Sequence, residues 1–274
     1  MCELREMYMS DLPKVLKIIG EIDDDDEAAA EENFHAGGLE GHYVFVKEGA
    51  VIGVTGFREV PATDHTLWLS WTYLSKSLHG QGFGKKMLSE LLVKARELNG
   101  KRIFVKVSNY VDPEDGPIYA SALALYKSMG FEEALTNQDF YDDGEDQIIL
   151  ARSLEIPIAA VDRDEEDTEV LEEKPTIRFN GLREITETEG AYTFSWEVIE
   201  KPGFFKKRSF SVEDLKIGIE AVKSDGGRKI FLTFPSNLPL IHVPLKESGF
   251  KLVGELQDYY EKGVHDMHFT HDLK

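Results

Sequence analysis

The sequence predicts an α+β fold, in which one central mixed sheet is flanked by helices and is followed by a truncated repeat of the same fold. Three observations support this prediction. Strand-like and helix-like segments come in an order that begins with an antiparallel meander. Residues 56–71 match residues 181–196 without a gap. A chain of 274 residues is also long enough for two domains.

The first segments predict a strand, two helices and a meander. A strand is expected over residues 4–9, and Ser10-Asp11 before a proline predicts the start of a helix that runs to Ile19. An acidic helix follows. The first two meander strands are separated by Glu48-Gly49, which suits a tight hairpin turn. The meander strands are expected at residues 43–47, 50–58 and 67–74.

The apolar pattern changes to a helical period at Gly84, because apolar residues then recur on one helical face. Asn99-Gly100 supplies a stop signal at the end of this helix. The remaining elements of the first half are a strand at residues 102–107, a helix at 117–129, and strands around 132–135 and 147–152.

The second half repeats segments of the first half in the same order. Residues 56–71 (GFREVPATDHTLWLSW) correspond to residues 181–196 (GLREITETEGAYTFSW), which lie 125 positions later. Gly130-Phe131 returns as Gly249-Phe250, 119 positions later. We therefore expect a duplication of one fold. The predicted domains are residues 1–152, an acidic linker at 153–175, and a truncated second copy at 176–274, with room for one short strand before Gly181.

Composition limits the classes of partner. The formal charge of −20, from 31 basic and 51 acidic residues, repels phosphates and therefore argues against nucleic-acid and membrane partners. Cationic substrates remain compatible with it. Cys2 is the single cysteine, so the sequence predicts no metal site. It shows neither a leader nor a membrane-spanning run, and it therefore predicts a cytoplasmic protein. Acidic runs at 21–32 and 162–173 are interpreted as solvated surface or linker, or else as an amine-attracting rim.

A glycine-rich loop, His79-Gly80-Gln81-Gly82-Phe83-Gly84-Lys85-Lys86, lies between a predicted strand and a predicted helix. Glycines let the backbone approach an anion, and free N–H groups at a helix start can hold phosphate. The loop predicts a pyrophosphate site, although a simple turn is the alternative for such a loop alone. Lys85-Lys86 excludes the mononucleotide P-loop, which needs Lys-Ser/Thr, and the preceding meander argues against a Rossmann turn.

Together these features resemble the GNAT superfamily of acyl-CoA N-acyltransferases. Residues 79–84 match the family's Arg/Gln-x-x-Gly-x-Gly/Ala loop, and residues 71–74 match its splayed strand beside the cofactor. Ala122-x-x-Leu125-Tyr126 with Gly130-Phe131 matches the family's Ala-x-x-Leu-Tyr-x-x-x-Gly-Phe ending. The elements follow in family order across residues 3–152.

The resemblance implies an N-acetyltransferase that moves an acetyl group from acetyl-CoA, its co-substrate, to a primary amine by direct attack. Tyr126 would be the general acid that protonates the leaving CoA thiolate, since the pKa of a phenol, about 10, lies close to that of a thiol. A core aromatic beside Phe131 is the alternative for Tyr126. The implied cofactor-binding residues are Trp71, Thr72, Tyr73, Leu74, His79, Gly80, Gln81, Gly82, Phe83, Gly84, Lys85, Asn109 and Tyr119.

Two positions depart from the family pattern. His79 stands where Arg or Gln is usual, which leaves the backbone of the loop intact but changes any side-chain contact with phosphate. Tyr119 occupies the position of an asparagine that the family often carries before its closing helix. Asn109 is a candidate substitute, although an insertion at residues 112–117 separates it from the helix.

The acceptor nitrogen must lose a proton before it can attack. Glu59, Asp64 and His65 are the candidate bases, directly or through water, because the family's geometry implies a position near the substrate end of the meander. A surface role is the alternative for each. Polyamine, amino acid, aminoglycoside and protein lysine all remain open as acceptors.

The second copy is predicted to lack the chemistry. Residues 204–209 correspond to the glycine loop, so Gly82 and Gly84 become Lys207 and Ser209, and Tyr126 becomes Leu245. This half is interpreted as a structural or substrate-shaping partner that replaces the second subunit of dimeric relatives, in a monomer or a homodimer. The alternative to an enzyme is a non-catalytic acyl-CoA-binding module whose second half recruits a protein.

Overall fold

The computed structural model describes residues 2–155, 176–199, 211–238 and 241–273. The described residues before 156 form strands and α-helices in the predicted order. These elements are β1 (Cys2–Glu6), α1 (Leu12–Gly20), α2 (Asp24–Gly37), β2 (His42–Lys47), β3 (Ala50–Glu59), β4 (Thr66–Leu74), α3 (Phe83–Glu97), β5 (Arg102–Ser108), α4 (Ala120–Ser128), β6 (Glu132–Asp142) and β7 (Glu145–Ser153).

The described part of the second half forms a shorter series of elements. Within all the described ranges, no helix is both long enough and apolar enough to cross a membrane. The elements of the second half are β8 (Thr176–Glu184), β9 (Ala191–Ile199), α5 (Val212–Ser224), β10 (Lys229–Pro235), α6 (His242–Glu247), β11 (Lys251–Glu261) and β12 (Val264–Asp272).

The first seven strands form one mixed sheet in the order β1-β2-β3-β4-β5-β7-β6. β1 to β4 are antiparallel neighbours, so the predicted meander is confirmed. β4 and β5 run parallel, and their paired residues extend from Thr66 beside Arg102 to Trp68 beside Phe104. Pairing of these two fully described strands ends there, so the sheet opens along the rest of β4.

Helices cover both faces of this sheet. Successive side chains of a strand point to opposite faces, and in β2 Val44 packs with α1 and α2 whereas Phe45 packs with Met87 of α3. α1 and α2 therefore lie on one face and α3 on the other. The buried face of α3 is the one expected from its sequence, namely Met87, Leu88, Leu91, Leu92 and Ala95.

Three elements differ from their predicted bounds. β1 is Cys2–Glu6 rather than residues 4–9, because Met9 begins a short 3-10 turn. α4 begins at Ala120 rather than at residue 117, because the residues from Pro117 form a turn closed by the Ala120 N–H and the Pro117 carbonyl. β6 and β7 are longer than expected, since the hairpin continues through polar residues whose pattern does not predict a strand.

The second half forms a five-stranded sheet in the order β11-β12-β10-β9-β8. Read in reverse, this order is β8-β9-β10-β12-β11. It corresponds strand by strand to β3-β4-β5-β7-β6 in the first sheet. β9 and β10 are parallel, as are β4 and β5. The predicted fold class is confirmed: a central mixed sheet flanked by helices precedes a shorter sheet with the same strand order.

The chain divides into two compact units, and the division crosses the β6–β7 hairpin. Ala134–Gln147, the outer part of this hairpin, joins the second unit rather than the first. The Glu189 N–H donates to the Tyr141 carbonyl at 2.8 Å, and the Phe140 ring lies 4.9 Å from the Phe231 ring. The predicted first domain, residues 1–152, therefore includes a segment that packs within the second unit.

The predicted linker at 153–175 begins too early. Leu154 is buried in the core of the first unit, and its N–H donates to the Lys101 carbonyl at 2.8 Å. Residue 154 therefore belongs to the first fold, because its side chain completes the core beyond the end of β7. Residues 156–175 lie outside the described part of the chain.

Both sheets end in hairpins with the same turn geometry. Asp139 and Asp258, 119 positions apart, both have a φ of 50°, a region that L-residues seldom adopt. The Asp139 carboxylate accepts a hydrogen bond from the Gly144 N–H at 2.9 Å, and the Asp258 carboxylate accepts one from the Gly263 N–H at 2.9 Å. The register read from the sequence therefore coincides with matching local structure.

The loops after β3 and β8 match in the same way. The Thr63 hydroxyl donates to the Val60 carbonyl at 2.7 Å. The Thr188 hydroxyl, 125 positions later, donates to the Ile185 carbonyl at 2.8 Å. Each loop is therefore fixed by a threonine three residues after the carbonyl that it contacts.

Candidate active site

An irregularity in β4 borders the opening between β4 and β5. Pairing with β3 shifts between Ser70 and Tyr73, so Trp71 and Thr72 together occupy the place of one residue, as in a β-bulge. Trp71 has a φ of 23°, outside the usual regions for an L-residue. The predicted cofactor-side residues 71–74 therefore form an irregular strand end beside the opening of the sheet.

The predicted glycine loop joins β4 to α3. Gly80 and Gly82 have φ values of 73° and 84°, which glycine adopts without steric cost. A Cβ atom at either position would meet no atom within 4 Å, so the loop has open space in front of it. Gly82 is the N-cap residue of α3, and the first N–H groups of a helix have no intrahelical partners. This arrangement can receive an anion.

Gly84, a predicted cofactor-binding residue, also lies at a close contact between two helices. A Cβ at this position would lie 3.3 Å from Cδ2 of Leu125, a close contact. The glycine therefore lets α3 approach α4, and a larger residue at position 84 would disturb helix packing as well as any bound phosphate.

The side chain of His79 turns toward the strand that precedes the loop. Its Nε2 lies 2.8 Å from the Leu74 carbonyl oxygen, and because a carbonyl only accepts, the ring nitrogen donates. The imidazole therefore joins the loop to the end of β4. His79, which stands where the family has Arg or Gln, therefore uses its side chain in a hydrogen bond within the protein.

A cavity of about 250 Å³ lies beside the loop. Its lining comes from the segment after α1, the segment between β4 and α3, and residues 115–121, which lead into α4. Lys76 and Asp115, from the second and third of these regions, form an ion pair with an N–O distance of 2.8 Å. The lining residues are Ile22, Lys76, His79, Asp115, Pro117, Ile118 and Ser121.

The Tyr126 side chain lies in the core of the first unit, where it is 5 % exposed. Its hydroxyl interacts with the side chain of Thr72 on the β4 bulge. Burial raises the pKa of Tyr126 to about 12, although the Thr72 contact lowers it. The ring also packs on Phe131, with centroids 5.6 Å apart. The ring of Tyr126 is therefore part of the core, and its hydroxyl, which keeps its proton at neutral pH, lies beside the irregular end of β4.

Two further tyrosines are bound to the first turn of α2. The Tyr119 hydroxyl lies 2.6 Å from a carboxylate oxygen of Asp23 and 3.0 Å from one of Asp26, and the Tyr73 hydroxyl donates to Asp26. Burial and the Asp26 carboxylate raise the pKa of Tyr73, and burial with the neighbouring Tyr73 and Asp26 raises that of Tyr119. Tyr119, predicted as a cofactor-binding residue, uses its hydroxyl in this cluster.

Sequence reasoning missed this cluster. Asp23 carries a local signal, since it caps α2 by accepting from the Asp25 and Asp26 N–H groups. Its tyrosine partner is 96 positions away, so no local pattern pairs them. Glu21 accepts from the Ser75 hydroxyl and so also contacts the segment after β4. The interpretation of residues 21–32 as solvated surface or linker is therefore wrong for the part of the run that binds these partners.

Asn109 is exposed and directly follows β5. The insertion at 112–117 separates it from α4, as expected. Within that insertion the Asp112 carboxylate accepts from the N–H groups of Glu114 and Asp115, at 2.8 and 2.7 Å, and forms a tight turn.

The three predicted bases lie at the wrong end of β4. His65 directly precedes the strand and Leu74 ends it, which at about 3.3 Å per residue separates them by roughly 30 Å. His65 pairs instead with Glu59 at 2.8 Å, and Asp64 forms an ion pair with Lys101. The loop between β3 and β4 thus lies at the opposite end of β4 from the glycine loop, and a role for these residues as the base is not supported.

The second unit has an apolar side chain where the first has Tyr126. The Phe131 N–H donates to the Tyr126 carbonyl at 3.1 Å, and the Phe250 N–H donates to the Leu245 carbonyl at 2.9 Å. Leu245 is fully buried. It therefore holds the same backbone position without a hydroxyl. The predicted counterpart of the glycine loop, residues 204–209, lies outside the described residues. Across the described ranges, no three His, Cys, Asp or Glu side chains are placed to hold a metal ion.

The chain is similar to several solved structures. A protein from Desulfovibrio desulfuricans, assigned to the GNAT family of acetyltransferases, is 20% identical, with a TM-score of 0.50 over 57% of this chain and 100% of that chain. The ribosomal-protein-S18-alanine N-acetyltransferase of Escherichia coli is 20% identical, with a TM-score of 0.47 over 60% and 100% of the two chains. A Salmonella typhimurium protein solved with its cofactor acetyl-CoA is 19% identical, with a TM-score of 0.43 over 59% and 98%.

A search of the curated proteins found no match. The family model for the acetyltransferase (GNAT) family matches residues 2–131 and does not extend into the second half. This region contains the meander, the glycine loop at the start of α3 and Tyr126. Residues 2–131 therefore belong to the acetyltransferase (GNAT) family.

Proposed function

We propose that this chain transfers an acetyl group from acetyl-CoA to a primary amine by direct attack, with Tyr126 as the general acid. One observation carries the proposal: the buried Tyr126 hydroxyl interacts with the Thr72 side chain on the bulge of β4. The hydroxyl thus lies at the strand that the family resemblance assigns to the acetyl group. Membership of residues 2–131 in the acetyltransferase family supports the same class of reaction.

Tyr126 is suited to protonate a leaving thiolate because it keeps its own proton at neutral pH. In water the pKa is about 8.5 for a thiol and about 10 for a phenol. Burial disfavours every anion and therefore raises the pKa of both groups in the same direction. The two acids remain comparable inside the site, and the interaction with Thr72 lowers the pKa of Tyr126 and so favours the phenolate that remains after transfer.

The end of β4 and the glycine loop are the proposed binding surface for the co-substrate. The open space at Gly80 and Gly82 fits a pyrophosphate that accepts hydrogen bonds from N–H groups at the start of α3. Backbone groups of residues 71–74 would contact the acetyl carbonyl and the pantetheine arm. Because the His79 ring already donates to the Leu74 carbonyl, His79 would contribute its backbone to this surface.

The acceptor is proposed to be a primary amine that is cationic at neutral pH. The formal charge of −20 favours attraction of a cation and disfavours nucleic-acid or membrane partners. Asp23 and Asp26, beside Tyr73, add negative charge on the α2 side of β4.

The second half is proposed to be a degenerate copy that arose by duplication, following a catalytic domain at 1–152 and an acidic linker. The shared strand order and the matched turns at Asp139 and Asp258 support the duplication. Leu245 in place of Tyr126 supports one active site per chain. We further propose a cytoplasmic protein in which one chain is sufficient for activity.

Release of free CoA thiol from acetyl-CoA tests this proposal, measured over a polyamine, an amino acid, an aminoglycoside and a lysine peptide. We expect at least one amine to stimulate thiol release, with the acetylated amine detected by mass. Binding of acetyl-CoA without release on any amine would support the alternative, a non-catalytic acyl-CoA-binding module. Retention of Tyr126 at the strand bulge favours the enzyme.

A further inference from the structure

His42 and Ser70 contact each other across β3. Nε2 of His42 lies 3.1 Å from Oγ of Ser70, within hydrogen-bond distance. His42 belongs to β2 and Ser70 to β4, and both are paired with Gly56 on the strand between them. A Cβ at position 56 would lie 2.7 Å from Cδ2 of His42. The imidazole reaches Ser70 because this position is glycine.

Ser70 lies next to the proposed reaction centre. It immediately precedes the bulge, and its carbonyl accepts a hydrogen bond from the Thr72 hydroxyl at 3.0 Å. Thr72 in turn contacts the general acid, Tyr126. The Ser70 side chain is only partly buried. The Ser70 hydroxyl, which contacts His42, is therefore partly exposed, and it lies two residues before Thr72, the residue that contacts Tyr126.

Aromatic side chains pack beside the histidine. The Phe34 ring meets the His42 ring edge-on with centroids 5.0 Å apart, and it lies 6.2 Å from the Trp71 ring. The Trp71 indole N–H donates to the Asn33 side chain at 3.2 Å, which joins α2 to the bulge. The imidazole is therefore packed against an aromatic surface and has Ser70 on its Nε2 side.

The ring is held in its neutral form. Burial is the largest effect and lowers the pKa of His42. The backbone of Glu40 and Leu39 raises this pKa, whereas the charge of Arg58 lowers it further. These groups come from the turn before β2 and from β3. Phe34 of α2 and Ser70 of β4, which also pack on the ring, carry no charge. A neutral imidazole at pH 7 can accept a proton.

The fold itself does not require this pair. Gly181 and Ser195 are paired in β8 and β9, 125 positions after Gly56 and Ser70. β8 is an edge strand among the described residues, so the second sheet has no neighbouring strand in the place of β2. Among its described residues, the second unit thus keeps the glycine and the serine but shows no counterpart of His42, and Leu245 stands in the place of Tyr126.

We propose that Ser70 and His42 accept the proton of the acceptor ammonium, an inference that rests on the acetyl transfer proposed above. Ser70 Oγ takes a proton from the ammonium while its own hydroxyl proton passes to Nε2 of His42. The freed nitrogen lone pair forms the C–N bond with the acetyl carbon, the C–S bond breaks, and Tyr126 protonates the sulfur. The nitrogen then loses its second proton, which passes through water to the Tyr126 phenolate and restores the acid. The imidazolium then releases its proton to solvent. Ser70 is the catalytic residue here, and His42 acts through it as a positioning residue.

The pH dependence of kcat/KM for the amine tests this proposal. With the pair intact, the enzyme uses the ammonium form of the amine, which is abundant at neutral pH. As the pH increases, kcat/KM should therefore rise until the pH reaches the pKa of His42, below about 6.5. It should then stay level up to the amine pKa of about 10. The His42→Gln variant must capture the rare free amine. Its kcat/KM should be about 10²-fold lower at pH 7 and should rise about tenfold per pH unit between pH 6 and 9.

Three further variants complete the test. Ser70→Ala should reproduce the profile of His42→Gln, whereas Ser70→Thr keeps a hydroxyl and should retain most activity. His65→Gln is the matched control, because His65 lies at the other end of β4, and it should keep the wild-type profile. Acetyl-CoA affinity, measured by calorimetry, should be unchanged in all four variants and shows that each is folded.

The possible failures can be told apart. A level profile in both His42→Gln and Ser70→Ala, with wild-type rates, would overturn the pair and leave the acetyl transfer intact. Absence of thiol release by the wild-type enzyme on any amine would overturn the acetyl transfer itself, and the pair with it.

Discussion

The ammonium of Lys229 on β10 lies 3.2 Å from a carboxylate oxygen of Asp139 at the tip of the β6–β7 hairpin. The same ammonium lies 3.1 Å from Asp272 and donates to the Gln138 carbonyl at 2.8 Å. The Lys229 side chain is 8 % exposed, whereas both carboxylates are about half exposed. One buried cation therefore joins the hairpin to the sheet of the second unit.

Lys229→Met should destabilise the second unit by about 1–3 kcal/mol at pH 7. Loss of a buried partner is costly, but the half-exposed carboxylates can be hydrated again, which limits the loss. The free energy of unfolding is measured by urea denaturation. Lys223→Met, which removes an exposed partner of Glu220, is the matched control and should change it by less than about 0.5 kcal/mol.

The effect of Lys229→Met should disappear in acid. The Gly144 N–H and the Lys229 ammonium hold the pKa of Asp139 below its usual range, against the effect of burial. A depressed carboxyl pKa contributes stability that is present above the unfolded value, about 3.9, and lost as the pH falls through the folded value. The difference between wild type and variant should shrink below about pH 4. A constant difference between pH 7 and pH 3 would contradict this ion pair.

Gly82→Val should abolish most acetyl-CoA binding. Its side chain would enter the open space in front of α3, where the pyrophosphate is proposed to bind. Valine also strains a positive φ, so Gly49→Val is the control: Gly49 has a φ of 82°, and its Cβ would likewise meet nothing within 4 Å. Calorimetry should show binding lost in the first variant and kept in the second. Equal affinity in both folded variants would exclude the loop as the phosphate site.

One acetyl-CoA should bind per full-length chain. The second unit carries Leu245 in the place of Tyr126, and the sequence at 204–209 has Lys207 and Ser209 in the place of two loop glycines. Without those glycines a backbone cannot approach a pyrophosphate closely. Isothermal calorimetry on the full chain gives the stoichiometry directly. Two sites per chain would show that the second half has kept its binding function.

The sequence predicts most of the fold because its signals are local. Glu48-Gly49 predicts the hairpin turn, and the observed φ values of 51° and 82° are those that such a turn requires. The apolar period after Gly84 predicts the buried face of α3. The proposed repeat can be read from residues 56–71 and 181–196, because their loops have matching turns. Local propensity does not fix where a polar hairpin such as β6–β7 ends.

The candidate site is predicted only in part, since its contacts join distant segments. The glycine loop and Tyr126 follow from sequence spacing. The contact between His42 and Ser70 depends on the register of three strands and on a glycine in the middle one. The expected bases, Glu59 among them, were placed near the wrong end of β4, because a sequence shows which strand a residue borders but not which end lies at the opening.

Tyr126 is proposed to donate the proton to the departing CoA thiolate. Tyr126→Phe removes the hydroxyl and keeps the ring on Phe131, and Thr72 retains its contacts with the Thr55 hydroxyl and the Ser70 carbonyl, so the fold should be unchanged. The most direct measurement is kcat for thiol release by this variant on the best amine, together with its Kd for acetyl-CoA. We expect kcat to fall by about 10²–10⁴-fold with Kd nearly unchanged. Full turnover by the phenylalanine variant would contradict the role of Tyr126 as the general acid.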